Sequence, residues 1–206
     1  MASDQLFRCL FIGIFVGMLS ISGYRRYRAR HSGEAISRTR EGKLVLLTRL
    51  VLAACLYLPM FAYMLSPDWM HWSAMHLPTG LRWLGAAIGL ATLPLLCWVF
   101  SSIGCNISET TLTKKQHVLV THGPYRWVRH PLYSAATVAL ISLSLLATNW
   151  FMLAVACVGF VCIAVLVVPR EETELRRKFG NEYEEYMQLT GRFFPRLFRE
   201  NETPTC

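Results

Sequence analysis

Two short polar segments interrupt an otherwise apolar chain. The first is His117-Val118-Leu119-Val120-Thr121-His122-Gly123-Pro124-Tyr125-Arg126-Trp127-Val128-Arg129-His130-Pro131-Leu132-Tyr133, and the second is Pro169-Arg170-Glu171-Glu172. Proline favours the first position of a helix, so His130-Pro131 marks a helix start. A helix N-terminus carries unpaired N–H groups and the positive end of the dipole, which suit an anion such as a carboxylate. His130 and Tyr133 would add side-chain donors there. Glu171 and Glu172 are expected at the C-terminus of an apolar helix, where negative charge is disfavoured by about 0.3–1 kcal/mol. Acids in such a place point to a cation. The pocket so inferred holds a ligand with one anionic and one cationic end, such as a free amino acid or an amino-acid-like cofactor. Each piece has a plainer reading. A His-Pro pair is commonly a cap, and a Glu-Glu pair in a basic tail is commonly a solvated face of little energetic value. Their convergence at one depth favours a site.

That convergence follows from the elements that carry them. Five apolar stretches, about 6–22, 44–65, 81–103, 132–147 and 150–168, approach the roughly 20 residues needed to cross the hydrocarbon core. The fold expected is all-α: a polytopic membrane helix bundle of about five transmembrane helices, with a cytoplasmic cofactor pocket and a C-terminal amphipathic helix. Residues 1–206 form a single membrane domain. Within it, 1–103 supply three N-terminal helices and 104–206 the cofactor-binding part, including a helical hairpin over 131–169. Only Thr148-Asn149 separates the last two spans. The fourth helix rises about 25 Å and the fifth falls back by the same amount, at about 1.5 Å per residue. Both polar clusters therefore end at the same depth.

Basic residues set the orientation. Segment 23–43 holds seven Lys and Arg, segment 104–131 four, and the tail from Arg170 seven, against Arg8 and Arg82 on the other side. By the positive-inside rule the N-terminus faces outward and the C-terminus the cytoplasm. Trp69, Trp72 and Trp83 border the outer loop, as aromatic belts do. The net charge of +8 thus serves topology and anionic headgroups rather than nucleic acid. The seven cysteines form no Cys-x-x-Cys pair and read as small buried hydrophobes. No metal site is expected. The charge order around the first apolar run favours an uncleaved anchor over a signal peptide. Gly13/Gly17 and Gly85/Gly89 have the spacing that lets helices approach closely. Pro59 and Pro94 predict kinks. After Pro169, Leu175, Phe179, Tyr183 and Met187 line one face of an amphipathic stretch. Gly180-Asn181 breaks it, with Asn181 and Glu184 spaced as a capping box. Segment 192–198 reads as an interfacial anchor.

The run Gly123-x-Tyr125-x-x-x-Arg129-His130-Pro131-x-Tyr133, followed by Glu171-Glu172 and Phe179-Gly180-x-Glu182-Tyr183, resembles the isoprenylcysteine carboxyl methyltransferase family. The resemblance covers about 104–195, and several spaced elements match in order. It implies a membrane methyltransferase that uses S-adenosylmethionine without a Gly-x-Gly-x-x-Gly fold. It further implies that His117, Val118, Leu119 and Val120 line the adenine site. Tyr125, His130, Pro131, Leu132 and Tyr133 would hold the methionine part, and Glu171 the amino group. In the family a substrate-side arginine precedes the acids. An ungapped alignment puts Val167 there, and Arg170 is the nearest arginine. Arg170 or Arg129 is expected to orient the acceptor, beside Glu171.

The implied acceptor is a lipophilic, prenylated carboxylate arriving from a bilayer, with membrane lipids around the chain, and a bacterial inner membrane is favoured over endoplasmic reticulum. Two rival acceptors are a phospholipid amine and a thiol, each needing a base such as His122 or Glu172. Two rival classes are an NADPH-dependent membrane reductase and a non-catalytic membrane protein.

Overall fold

The computed structural model describes residues 2–31, 43–103 and 119–196. They form helices α1 (Ala2–His31), α2 (Lys43–Leu65), α3 (Thr79–Ile103), α4 (Pro131–Leu146), α5 (Trp150–Cys162), α6 (Val168–Phe179) and α7 (Asn181–Leu189). Short 3-10 turns lie at Pro67–Ser73 and Gly123–Arg126. The fold is a helical membrane bundle, as the apolar runs predict. Among the described residues, three helical spans are long and apolar enough to cross a membrane, Ser3–Arg28, Thr79–Ile103 and Trp150–Phe179. The apolar segments Leu50–Leu65 and Pro131–Leu146 are shorter. The 16 residues of α4 extend about 24 Å, under the roughly 30 Å of hydrocarbon.

The core lies where α1, α3 and α4 meet. Phe7, Phe11, Ile14, Phe15 and Met18 present one buried face of α1 to Ala86 and Leu96 of α3 and to Ala139 and Leu143 of α4. Small residues set the separation. A Cβ on Gly85 would stand 3.0 Å from Leu145 Cβ, and one on Gly89 2.8 Å from Ile14 Cδ1 and 2.9 Å from Ser142 Oγ. This glycine pair is the close-approach site. Gly17 only touches Leu93, and nothing crowds Gly13. The remaining apolar surface, including Leu58, Leu90, Val158 and Val165, faces outward.

Asn149 organises the α4–α5 link. Its side chain accepts from Met152 N at 3.0 Å and donates to Ser73 Oγ at 2.7 Å and Met70 O at 3.2 Å. One residue thus caps α5 and ties the link to the turn between α2 and α3.

The chain does not stop at the membrane edge after α5. It passes through a π segment, Ile163–Val167, directly into α6, giving one helical span from Trp150 to Phe179. Pro169 lacks an N–H and its ring clashes with the carbonyl one turn back, and a π turn with Val168 N bonded to Ile163 O accommodates it. The expectation that Glu171 and Glu172 end a helix is therefore corrected: they lie in its interior. The capping box is corrected too. Gly180, at φ +54°, ends α6, and its carbonyl accepts from the N–H groups of Tyr183 and Glu184, without a side-chain cap. Pro59 and Pro94 do lie inside α2 and α3.

Candidate functional site

The site forms where the start of α4 meets α6. His130 is the α4 N-cap residue, and Pro131 fills the first turn without leaving a donor idle. Tyr133 lies three residues on, so its ring shares a face with His130, the two at 6.0 Å and 26°. Glu171 and Glu172 are adjacent on α6 and so point about 100° apart.

That turn separates their surroundings. Glu172 is buried among the protein's own cations. Arg129 Nε donates to Oε1 at 3.2 Å, Arg192 Nε donates to Oε1 at 3.2 Å, and Arg192 Nη2 donates to Oε2. His130 Nε2 lies 3.3 Å from Oε1. Glu171 instead accepts from the Tyr133 hydroxyl at 2.6 Å and stands 3.7 Å from His130 Nδ1. Its side chain is 23% exposed against 5% for Glu172. Glu172 is therefore neutralised within the fold by two arginines, while Glu171 is part-exposed and held by the Tyr133 hydroxyl and the His130 imidazole. The imidazole of His130 stands between the two acids.

The 190–194 segment closes the cluster from the other side. Arg129 N donates to Gly191 O at 2.8 Å, Gly191 N to Trp127 O at 3.1 Å, and His130 N to Arg192 O at 3.1 Å. Ser134 Oγ donates to Phe193 O at 2.8 Å. Arg129 Nη1 donates to Met187 O at 3.0 Å and to Thr190 O. In the described part of the segment expected as an interfacial anchor, Arg192 reaches Glu172 while the Phe194 ring is exposed. Leu197 and Phe198 lie outside the described residues.

A tyrosine layer supports this arrangement. Tyr186 OH donates to Tyr125 O at 2.6 Å. Burial pushes the phenols of Tyr125 and Tyr183 well above their ordinary range and that of Tyr186 up to about 12, so all three stay protonated at neutral pH. The Tyr183 hydroxyl is buried without a hydrogen-bond partner among the described residues. Gly123, at φ +61°, is required by close approach: a Cβ there would stand 2.3 Å from Ser102 Oγ on α3.

Of the residues singled out from the sequence, His130, Tyr133, Glu171 and Arg129 converge. Pro131 is buried in the α4 first turn, and Leu132 packs on the core. Tyr125 is buried below α7 contacts, and Leu119 and Val120 are half-buried. His117 and Val118 lie outside the described residues. Arg170 is exposed beside Glu171. Arg129 is committed to Glu172 and two backbone carbonyls rather than to the surface. Sequence reasoning missed Arg192 and Thr190. No spacing rule links them to Glu172, and the available signal was the need of a buried carboxylate for more than one cation.

Residues 84–177 match the model of the isoprenylcysteine carboxyl methyltransferase (ICMT) family. The chain thus resembles that family, as its spaced motifs indicate. It is 32% identical over 124 residues to the nickel-cobalt-cadmium resistance protein NccN of Alcaligenes xylosoxydans xylosoxydans, covering 59% of this chain and 57% of that protein. It is 38% identical over 77 residues to a probable protein-S-isoprenylcysteine O-methyltransferase of Oryza sativa subsp. indica, covering 35% of this chain and 38% of that one. The chain thus spans little more than half of the first relative and less of the second. A solved structure of the eukaryotic intramembrane Ras methyltransferase ICMT superposes with a TM-score of 0.54 at 19% identity, over 90% of this chain and 67% of that chain, which establishes a shared fold. NccN's name concerns metal resistance. Among the described residues no group of three or more His, Cys, Asp or Glu is placed to hold a metal ion.

Proposed function

We propose that this chain is an integral membrane methyltransferase that methylates the carboxylate of a lipophilic, isoprenylcysteine-like acceptor, with S-adenosylmethionine as donor. The observation that carries the reading is the division of labour between the paired acids: Glu172 is saturated by Arg129 and Arg192, while Glu171, part-exposed, lies against Tyr133 and His130 at the start of α4. A carboxylate edge next to a helix N-terminus fits a ligand that carries both an ammonium and a carboxylate, as the amino-acid part of S-adenosylmethionine does. The family match over 84–177 supports the same cofactor class.

When bound, S-adenosylmethionine supplies an electrophilic methyl carbon on its sulfonium. The chain supplies placement. Glu171 would bind the ammonium, and the first turn of α4 with His130 the carboxylate. Tyr125, Pro131, Leu132 and Tyr133 would wall the methionine part, and 117–120 the adenine. Arg170, exposed beside Glu171, would orient the acceptor, while Arg129 positions Glu172. An acceptor α-carboxyl has a pKa near 3.5, about that of a free C-terminus, so it arrives ionised and needs no base. The rate gain then comes from alignment and from removing water between opposite charges. The acceptor enters sideways from the bilayer, with the basic segments and the site on the cytoplasmic side and the N-terminus outside. The bacterial inner membrane is the proposed location.

The test is methyl transfer by the purified full chain from labelled S-adenosylmethionine to N-acetyl-S-farnesylcysteine. A base-labile methyl ester formed at a rate flat from pH 6 to 8 is expected. Label on an amine or thiol acceptor, with a rate that rises near pH 7, would overturn the carboxylate assignment.

A further inference from the structure

At the opposite end of the bundle, about 24 Å from His130 along α4, lies a cavity of about 280 Å³. Its lining includes Asp4 and Arg8 of α1, Tyr63 of α2, His71 of the 3-10 turn, Arg82 of α3 and Asn149 of the α4–α5 link. It shares no residue with the glutamate site.

The charges there do not balance. Arg82 Nη1 donates to Asp4 Oδ1 at 2.8 Å, and the Arg82 guanidinium lies 4.0 Å from the Phe7 ring centroid. Arg8 has no carboxylate within ion-pair distance among the described residues. Its Nη2 donates only to Met64 O at 3.1 Å and Leu65 O at 3.0 Å. The Nε atoms of both arginines are buried without an acceptor. Capping the α2 C-terminus explains one edge of the Arg8 guanidinium. It leaves a half-buried cation outside ion-pair distance of a carboxylate, since Asp4, one turn earlier on α1, is engaged by Arg82, and burying a charge is costly unless it is paired. Tyr63 and His71 line the same cavity, and neither side chain makes a hydrogen bond with the described residues.

Depth identifies the source of the anion. Trp69, Trp72, Trp83 and Trp150 surround this end with exposed rings, the arrangement of side chains at headgroup level. The volume lies just under the roughly 300–1,000 Å³ of pockets for drug-sized ligands, room for a headgroup rather than a prenyl chain. We propose that this cavity binds a phosphate group, that of an anionic phospholipid headgroup, with Arg8 as its counter-charge and Tyr63 and His71 as further donors.

The probes are dihexanoyl phosphatidylglycerol and inorganic phosphate, titrated calorimetrically into the full chain in a maltoside detergent. Saturable lipid binding, at least tenfold weaker in Arg8→Gln and severalfold weaker in Tyr63→Phe, is expected. Tyr63→Phe removes one hydroxyl, keeps the ring packed on Phe11, and decides the matter if Arg8→Gln does not fold. Inorganic phosphate binding as tightly as the lipid would support the phosphate site and overturn the lipid source. Absence of saturable binding of either probe, or lipid binding unchanged in both variants, would overturn the proposal.

Discussion

Glu171 and Glu172 are neighbours in sequence and differ in everything a carboxylate can be used for. Removing the Glu172 charge leaves the largely buried Arg129 without its anion, while Arg192, 41% exposed, can regain water, so the cost falls below the roughly 3–5 kcal/mol of breaking a fully buried pair. Glu172→Gln is expected to lower the unfolding temperature in detergent. Glu171→Gln should leave that temperature nearly unchanged and weaken S-adenosylmethionine binding by roughly 10- to 100-fold, the value of a charge-assisted hydrogen bond of about 1.5–3 kcal/mol. Equal loss of stability in both variants would contradict the division. His130, Tyr133 and Glu171 were legible because each sits at a helix position whose direction follows from spacing. Arg192 was not, because its partner lies on another element and only folding the tail back brings them together.

Elements explain why the acids sit where they do. The apolar runs located α2, α3 and α4 to within a few residues, since the demand for about 20 apolar residues is the strongest constraint in such a chain, but α1 continues past the predicted end at 22 to His31. They failed at Pro169, where a π turn carries the helix onward and places the acids in its interior. The pairing of Gly89 with Ile14 and Ser142 fixes how closely α1, α3 and α4 pack. Gly89→Leu should destabilise the bundle by about 1–3 kcal/mol through overpacking, read from thermal unfolding. The docked 190–194 segment makes a parallel argument. Truncation after Leu189 removes Arg192 and the carbonyls of Gly191 and Arg192 that accept from the Arg129 and His130 N–H groups, and should abolish cofactor binding. Truncation after Arg196 should preserve it.

At the scale of the whole molecule, the bundle has two chemically distinct ends. One gathers the paired acids, Arg129 and Arg192, and the start of α4. The other gathers tryptophans and the Arg8–Arg82 cavity. The charge asymmetry of the sequence predicts the first end to be cytoplasmic. Reporter fusions to the C-terminus should be active only as cytoplasmic reporters, and an exported reporter active there would reverse the orientation. The most direct test of the account is calorimetric binding of S-adenosylmethionine and its demethylated product to the full chain, beside His130→Ala and Glu171→Ala. Saturable binding of both ligands to the native chain, lost in both variants while they remain folded, is the predicted result. No saturable binding by a folded native chain would contradict the methyltransferase reading at its centre.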